Sequence, residues 1–163
     1  MSRDRAVALV VHEDKLLVIK RNNKGRHYFT LPGGGIEDGE TREQATLREL
    51  EEEASLKLKL IRQVYEHNYD NGQNQYVFLC EYQSGEPKLA DDSIEKLVES
   101  EGNFYEPMWL PVEDLPDTLL LPLGVRDWLI EDLRKGFPEQ IRVAKLNIQD
   151  LEHTFEESTN HSE

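Results

Sequence analysis

Three observations predict an α/β layered fold for this chain. Apolar, strand-like runs come in consecutive pairs, 5–11 with 15–21 and 57–69 with 74–82, joined by polar turns. Between the pairs, residues 42–54 hold no Gly or Pro and are rich in Glu, Leu, Ala and Arg, which favour helix. Near the C-terminus Val125, Trp128, Leu129 and Leu133 recur at helical spacing. Strands and helices in this order pack as a mixed sheet with helices laid against it. At 163 residues the chain is expected to form one domain over 1–151. The polar stretch 152–163 is expected to fray as a tail.

The elements follow in order. Residues 5–11 read as a strand whose run AVALVV is continuously apolar, which suits a buried position. His12, Glu13 and Asp14 make a turn, and 15–21 returns as the second strand of a hairpin. A polar, basic loop over 22–26 leads into a short strand, 27–31. After the helix, 57–69 reads as a strand, Asp70-Asn71-Gly72 as a hairpin turn, and 74–82 as the returning strand. Residues 83–103 are polar and acidic, with a short helix expected near 94–100. Residues 104–110 read as a strand that Pro107 confines to an edge or a bulge, because proline cannot donate to a ladder. A single helical turn is expected over 112–115. Pro122 fits the first position of a helix that runs to Lys135 and is stopped by Gly136. Residues 143–151 add a further element.

The stretch 31–56, LPGGGIEDGETREQATLRELEEEASL, organises the rest. Pro32 and Gly33, Gly34 and Gly35 allow a tight backbone path and close approach of a ligand. Asp38-Gly39 is a second turn signal, and Thr41 offers an N-cap hydroxyl. A helical wheel places Leu47, Leu50 and Ala54 on one side of the helix. Glu49, Glu52 and Glu53 share the other side, with Ala45 behind them. Three carboxylates at (i, i+3) and (i, i+4) spacing repel one another. A hard divalent cation reverses that sign, since such ions take oxygen ligands and sit between carboxylates and a substrate's phosphates. By composition alone the same face is a solvated helix surface.

The order of residues adds to this. Gly34, Glu40, Arg48-Glu49-Leu50, Glu52-Glu53 and Ser55-Leu56 stand at the spacings of the Nudix motif, and the chain resembles the Nudix hydrolases over 34–56. Ser55 is the one departure, standing where the family has Gly. If that position takes a left-handed conformation, Ser is the worse cap, and Ser55→Gly is expected to stabilise the protein. The resemblance implies an α/β/α sandwich, a mixed sheet between helices, with the motif as a loop–helix–loop. It implies hydrolysis of a phosphoanhydride in a nucleoside diphosphate-linked substrate with Mg²⁺ or Mn²⁺. Glu49, Glu52 and Glu53 match the metal-binding positions, and Glu52 or Glu53 is the candidate for the water-directing base. Glu40 and a backbone carbonyl at Gly33 or Gly34 are further metal candidates. Arg48 is placed with the catalytic set, holding Glu52. A further downstream carboxylate is expected from Glu99, Glu101 or Glu106. A nucleotide-binding module that does not hydrolyse is the rival expectation.

Composition bounds the partners. The formal charge is −14, which repels nucleic acid and anionic membranes at long range and free nucleotides as well; the small nucleotide substrate is what the resemblance implies. Such a substrate needs local cations. Lys20, Arg21, Lys24 and Arg26 cluster just before the motif, and Arg21 and Arg26, with Gly34, are the substrate-binding candidates because Arg suits bidentate phosphate contact. Tyr28, Phe29, Tyr65, Tyr69, Phe104, Tyr105 and Trp109 are candidates to stack a base, or else core residues. Cys80 is the only cysteine, in an apolar run, and reads as a buried hydrophobe. No apolar run approaches the ~20 residues of a membrane span. The first residues lack a signal peptide's apolar core, so the cytoplasm is the expected compartment. A homodimer is left open as the assembly.

Overall fold

The computed structural model describes residues 4–88 and 103–148. Eight strands are described: β1 (Arg5–His12), β2 (Lys15–Asn23), β3 (Arg26–Thr30), β4 (Gly33–Gly35), β5 (Lys57–Tyr69), β6 (Asn74–Ser84), β7 (Asn103–Pro111) and β8 (Arg142–Leu146). The helices are α1 (Arg42–Ala54) and α2 (Leu123–Lys135), with a 3-10 turn at Val112–Asp117. The expected short helix at 94–100, the tail 152–163, and Glu99 and Glu101 lie outside the described residues.

The sheet is mixed. Its path runs β3-β2-β1-β6-β5-β8, with β4 added to β1 and β7 to β2. β1 pairs parallel with β6 and β5 parallel with β8, while the other pairs are antiparallel. The β1–β2 hairpin is paired at its turn end, Val11↔Leu16 and His12↔Lys15. Glu13 and Asp14 both take positive φ there, as a two-residue hairpin turn requires. Beyond it β1 is paired with β6 and β4, and β2 with β3 and β7, so one hairpin joins two halves of the sheet.

The continuous apolar run of β1 is explained by helices on both faces. Val7 and Leu9 join a core with Tyr65, Val77, Val125 and Leu129, beneath α2. Ala8 and Val10 point the other way, into a core with Leu50, Ala54, Leu56 and Phe78, beneath α1. Burying a side chain such as Leu50 contributes about 1.5–3 kcal/mol. The expected α/β/α layering is therefore the observed one. Pro107 lies in β7, whose described pairing is with β2 alone, which fits the edge position expected of it. Pro122 precedes α2 as its N-cap rather than standing inside it, one residue from expectation. A buried polar tie joins α2 to the sheet: Asp132 accepts 2.7 Å bonds from the Tyr65 hydroxyl and from Arg142.

Candidate active site

α1 begins and ends as its sequence prescribes. Thr41 accepts from the Gln44 N–H at 3.0 Å, and the Gln44 side chain accepts from the Thr41 N–H at 2.9 Å, a reciprocal cap. Ser55 ends the helix in the left-handed region, φ 59° and ψ 33°. The helix is rotated from the two-faced wheel. Thr46, Glu49, Leu50, Glu53 and Ala54 are buried, whereas Leu47 is 39% exposed. Glu49 and Glu53 thus share the inward side with Leu50 and Ala54, and Glu52 stays about half exposed.

The glycines explain why two carboxylates point inward. β4 lies against the start of β1, with Gly33 opposite Val7 and Gly34 opposite Ala6. A Cβ on Gly33 would collide with the Ala6 carbonyl and the Val7 Cα. A Cβ on Gly34 would fall on the Glu49 carboxylate itself. The glycine run expected as a turn is thus a short strand, and at its start Glu53 accepts the Gly33 N–H at 2.9 Å.

Arg48 binds this cluster together. Its main partner is Glu40 and not Glu52: Nε donates to Oε2 at 2.7 Å and Nη2 to Oε1 at 3.0 Å. It also donates to Glu49 at 2.9 Å, to Glu52 at 3.2 Å and to the Gly35 carbonyl at 2.9 Å. The Glu40 bond, foremost, raises the pKa of Arg48 above its already high value. Both Glu40 oxygens are engaged by Arg48, so this glutamate acts here by fixing the arginine.

The donor set is hard oxygen, the kind that Mg²⁺ takes. The space that Gly34 leaves is filled by the Glu49 carboxylate. One guanidinium stands among Glu40, Glu49 and Glu52, where positive charge is required. Glu49, Glu52 and Glu53 therefore fit a divalent cation in chemistry. They are not drawn tight around one point: among the described residues no group of three or more His, Cys, Asp or Glu is arranged to hold an ion.

Beside the glutamates opens a cavity of about 520 Å³, within the range of small-molecule sites. One wall is a row across β3, β2 and β7: Tyr28, Arg21 and Tyr105 are mutual register partners. The Arg21 guanidinium lies 3.7 Å from the Tyr105 ring centroid and 5.4 Å from that of Tyr28. Burial raises the pKa of Tyr28, which keeps its phenol neutral. A second row crosses β4, β1, β6 and β5, namely Gly35, Arg5, Gln75 and His67. Tyr69, Gln73, Leu121 and Val125 also line the space.

Expectation and structure can now be compared residue by residue. Gly33, Gly34, Arg48, Glu49, Glu52, Glu53, Arg21, Tyr28, Tyr69 and Tyr105 all line the cavity. Glu40 stands behind Arg48. Arg26, expected with the substrate, is exposed at the far end of the β2–β3 hairpin and does not line the cavity, and Lys20 and Lys24 are exposed too. Strand alternation separates Lys20 from Arg21. Glu106 is exposed opposite Lys20 on β7, outside the lining. Tyr65 belongs to one core, Phe29 packs against it, Trp109 packs against the other, and Phe104 is exposed. Cys80 is buried, and burial pushes its thiol up to about 12, so it is inert as expected. Arg5, Gln75 and His67 escaped the sequence reading, because only strand register brings them to the site.

Comparison with known proteins agrees with this geometry. The family model for the NUDIX domain matches residues 2–130. An ADP-ribose pyrophosphatase of Methanocaldococcus jannaschii is 38% identical over 93 residues, covering 53% of this chain and 55% of that protein. The NAD-capped RNA hydrolase NudC of Salmonella paratyphi C is 38% identical over 130 residues, covering 77% of this chain and 45% of that protein. The chain thus spans about half the length of these curated relatives. Among solved structures, a NUDIX hydrolase from Nitrosomonas europaea superposes with a TM-score of 0.65 at 19% identity, covering 90% of this chain and 81% of that one. Among the described residues no helix is long and apolar enough to cross a membrane. With its motif running from β4 through α1 and the family model matching most of its length, the chain belongs to the NUDIX family.

Proposed function

We propose that this chain hydrolyses a phosphoanhydride bond in a small nucleoside diphosphate-linked substrate, using Mg²⁺ or Mn²⁺. The observation that carries this is the juxtaposition of Glu49, Glu52 and Glu53, around Arg48, with a cavity that also holds Arg5 and Arg21. The names of its relatives supply the substrate class, ADP-ribose or a NAD-derived group. Cytoplasmic action on a soluble nucleotide goes with the same reading.

Water attacks one phosphorus, the bridging P–O bond breaks, and two phosphate products leave. Glu49, Glu52 and Glu53 would hold a divalent ion, which would supply positive charge to offset that building on the phosphoryl oxygens. The chain does the rest. Arg21, braced by Tyr28 and Tyr105, meets an anionic oxygen as a preorganised cation. Arg48 fixes Glu40, Glu49 and Glu52 by four side-chain bonds and ties them to the Gly35 carbonyl. The attacking water's proton passes to a carboxylate. Glu52 suits that role best, since it is the most solvent-open of the three.

Incubation with ADP-ribose, NAD, nucleoside triphosphates and nucleotide sugars, with Mg²⁺, Mn²⁺ or chelator, tests the proposal. Metal-dependent release of a nucleoside monophosphate or of pyrophosphate is expected. Binding of a nucleotide with no turnover under any metal would make the domain a non-catalytic binding module. Full turnover in chelator would refute the metal assignment.

A further inference from the structure

We propose that His67 is a specificity-determining residue, whose Nε2–H donates to an uncharged oxygen or nitrogen acceptor of the substrate's nucleoside portion. This rests on the pyrophosphohydrolase proposal above.

Four buried side-chain nitrogens among the described residues lack a hydrogen-bond partner, namely Arg5 Nε, Arg21 Nε, Arg142 Nε and His67 Nε2. Buried polar atoms are nearly always satisfied, so each exception calls for a reason. Three of these four residues line the cavity beside the glutamates. Arg5 and Arg21 are cations and suit phosphate oxygens. His67 differs in kind. It is fully buried near the C-terminal end of β5, with Gln75 as its register partner on β6 and Ala144 on β8.

The tautomer follows from Gln75. The amide Nε2 lies 3.1 Å from His67 Nδ1, and an amide nitrogen only donates. Nδ1 is therefore the acceptor, and the ring proton sits on Nε2. Tyr65 lies alongside the imidazole, with centroids 6.4 Å apart, and helps to fix its plane. Gln75 in turn pairs with Arg5 in the same row. The floor of the cavity thus runs from a cation to an amide to a neutral ring.

Burial lowers the His67 pKa to about 4, so the ring stays uncharged near neutral pH. A neutral donor matches a hydroxyl, carbonyl or ring nitrogen better than a phosphate. The charged part of the substrate has Arg5, Arg21 and the glutamate end of the cavity. A site built to hydrogen-bond one group rejects analogues that lack it, because its own donor is then left unpaired.

Imidazole ¹⁵N–¹H spectra of the full chain test this, with AMP as the nucleoside probe and inorganic pyrophosphate as the nucleoside-free one. The apo spectrum should show His67 as the Nε2–H tautomer. AMP should move that signal and pyrophosphate should not. His67→Phe should raise KM for nucleotide substrates about tenfold with kcat within about threefold, and His67→Gln, which keeps an N–H donor, should recover part of the loss. Gln75→Leu frees Nδ1 to take the proton and should weaken AMP binding even if His67→Phe misfolds. AMP binding with an unmoved Nε2–H signal, or equal KM in wild type and both His67 variants, overturns the inference and leaves the hydrolase proposal standing. A wild-type chain that binds no nucleotide and hydrolyses none overturns both.

Discussion

Ser55 gives the sharpest stability prediction. Its φ of 59° places an L-residue in the left-handed region, at a cost of about 1 kcal/mol relative to Gly. Taken alone, that cost makes Ser55→Gly stabilising. The structure adds an opposing term that the sequence did not show. Ser55 Oγ donates to the Lys88 carbonyl at 2.7 Å, and the Lys88 N–H donates to the Ala54 carbonyl at 3.0 Å, so the segment after β6 is tied to the end of α1. A solvent-exposed hydrogen bond of this kind contributes about 0.5–1.5 kcal/mol. Ser55→Gly relieves the backbone, loses the bond and adds freedom to the unfolded chain, and should leave stability within about 1 kcal/mol of wild type. Ser55→Ala loses the bond and keeps the strain, so it should be destabilised by about 1 kcal/mol. Gly should then melt above Ala by about 2–4 °C per kcal/mol in a domain of this size. Thermal melts followed by circular dichroism, with urea titrations to obtain free energies, measure the difference. An Ala variant clearly more stable than the Gly variant would refute the left-handed assignment, since with an ordinary φ glycine's unfolded-state freedom alone would set the order. Turnover should stay within about twofold in both, since Ser55 bonds away from the cavity.

Glu53→Gln and Glu52→Gln should each lower kcat by about 10²- to 10⁴-fold, while Glu51→Gln, exposed and outside the cavity lining, should stay near wild type in the same steady-state assay. His67 makes stability fall in acid: the unfolded ring protonates near 6.5 and the folded ring near 4, so its contribution is full above pH 6.5 and is lost as pH falls towards 4. It amounts to about 3 kcal/mol. Urea unfolding from pH 4.5 to 7 should therefore show a shallower pH slope for His67→Gln than for wild type, and identical slopes would mean the ring is not buried neutral.

What could be read from the sequence was local. Thr41 and the Gly- and Pro-free run of α1 each act within a few residues, and each formed where expected; Gly33–Gly35, expected as a turn, instead pairs with β1 as the short strand β4, a pairing set by a distant partner. The rotation of α1 was less legible. A wheel sorts residues by polarity, and Glu49 and Glu53 are polar residues turned inward by what they meet, a glycine backbone with no side chains of its own. The Glu40–Arg48 pairing was hidden for the same reason, since it depends on how the 36–40 turn folds back over the helix. The cavity walls were least legible, because each is a row of residues from different strands. Tyr28, Arg21 and Tyr105 could be named singly, but their joining is a matter of register. Arg5, Gln75 and His67 carry no local signal at all. The parallel β1–β6 pairing, which no hairpin turn specifies, brings Arg5 beside Gln75, and the β5–β6 hairpin then sets His67 next to it. Substrate choice in this domain is therefore expected to depend on strand register, while the hydrolytic end depends on a contiguous motif. A one-residue slip of β6 against β1 would turn Gln75 to the other face, break the floor and leave α1 and its glutamates in place.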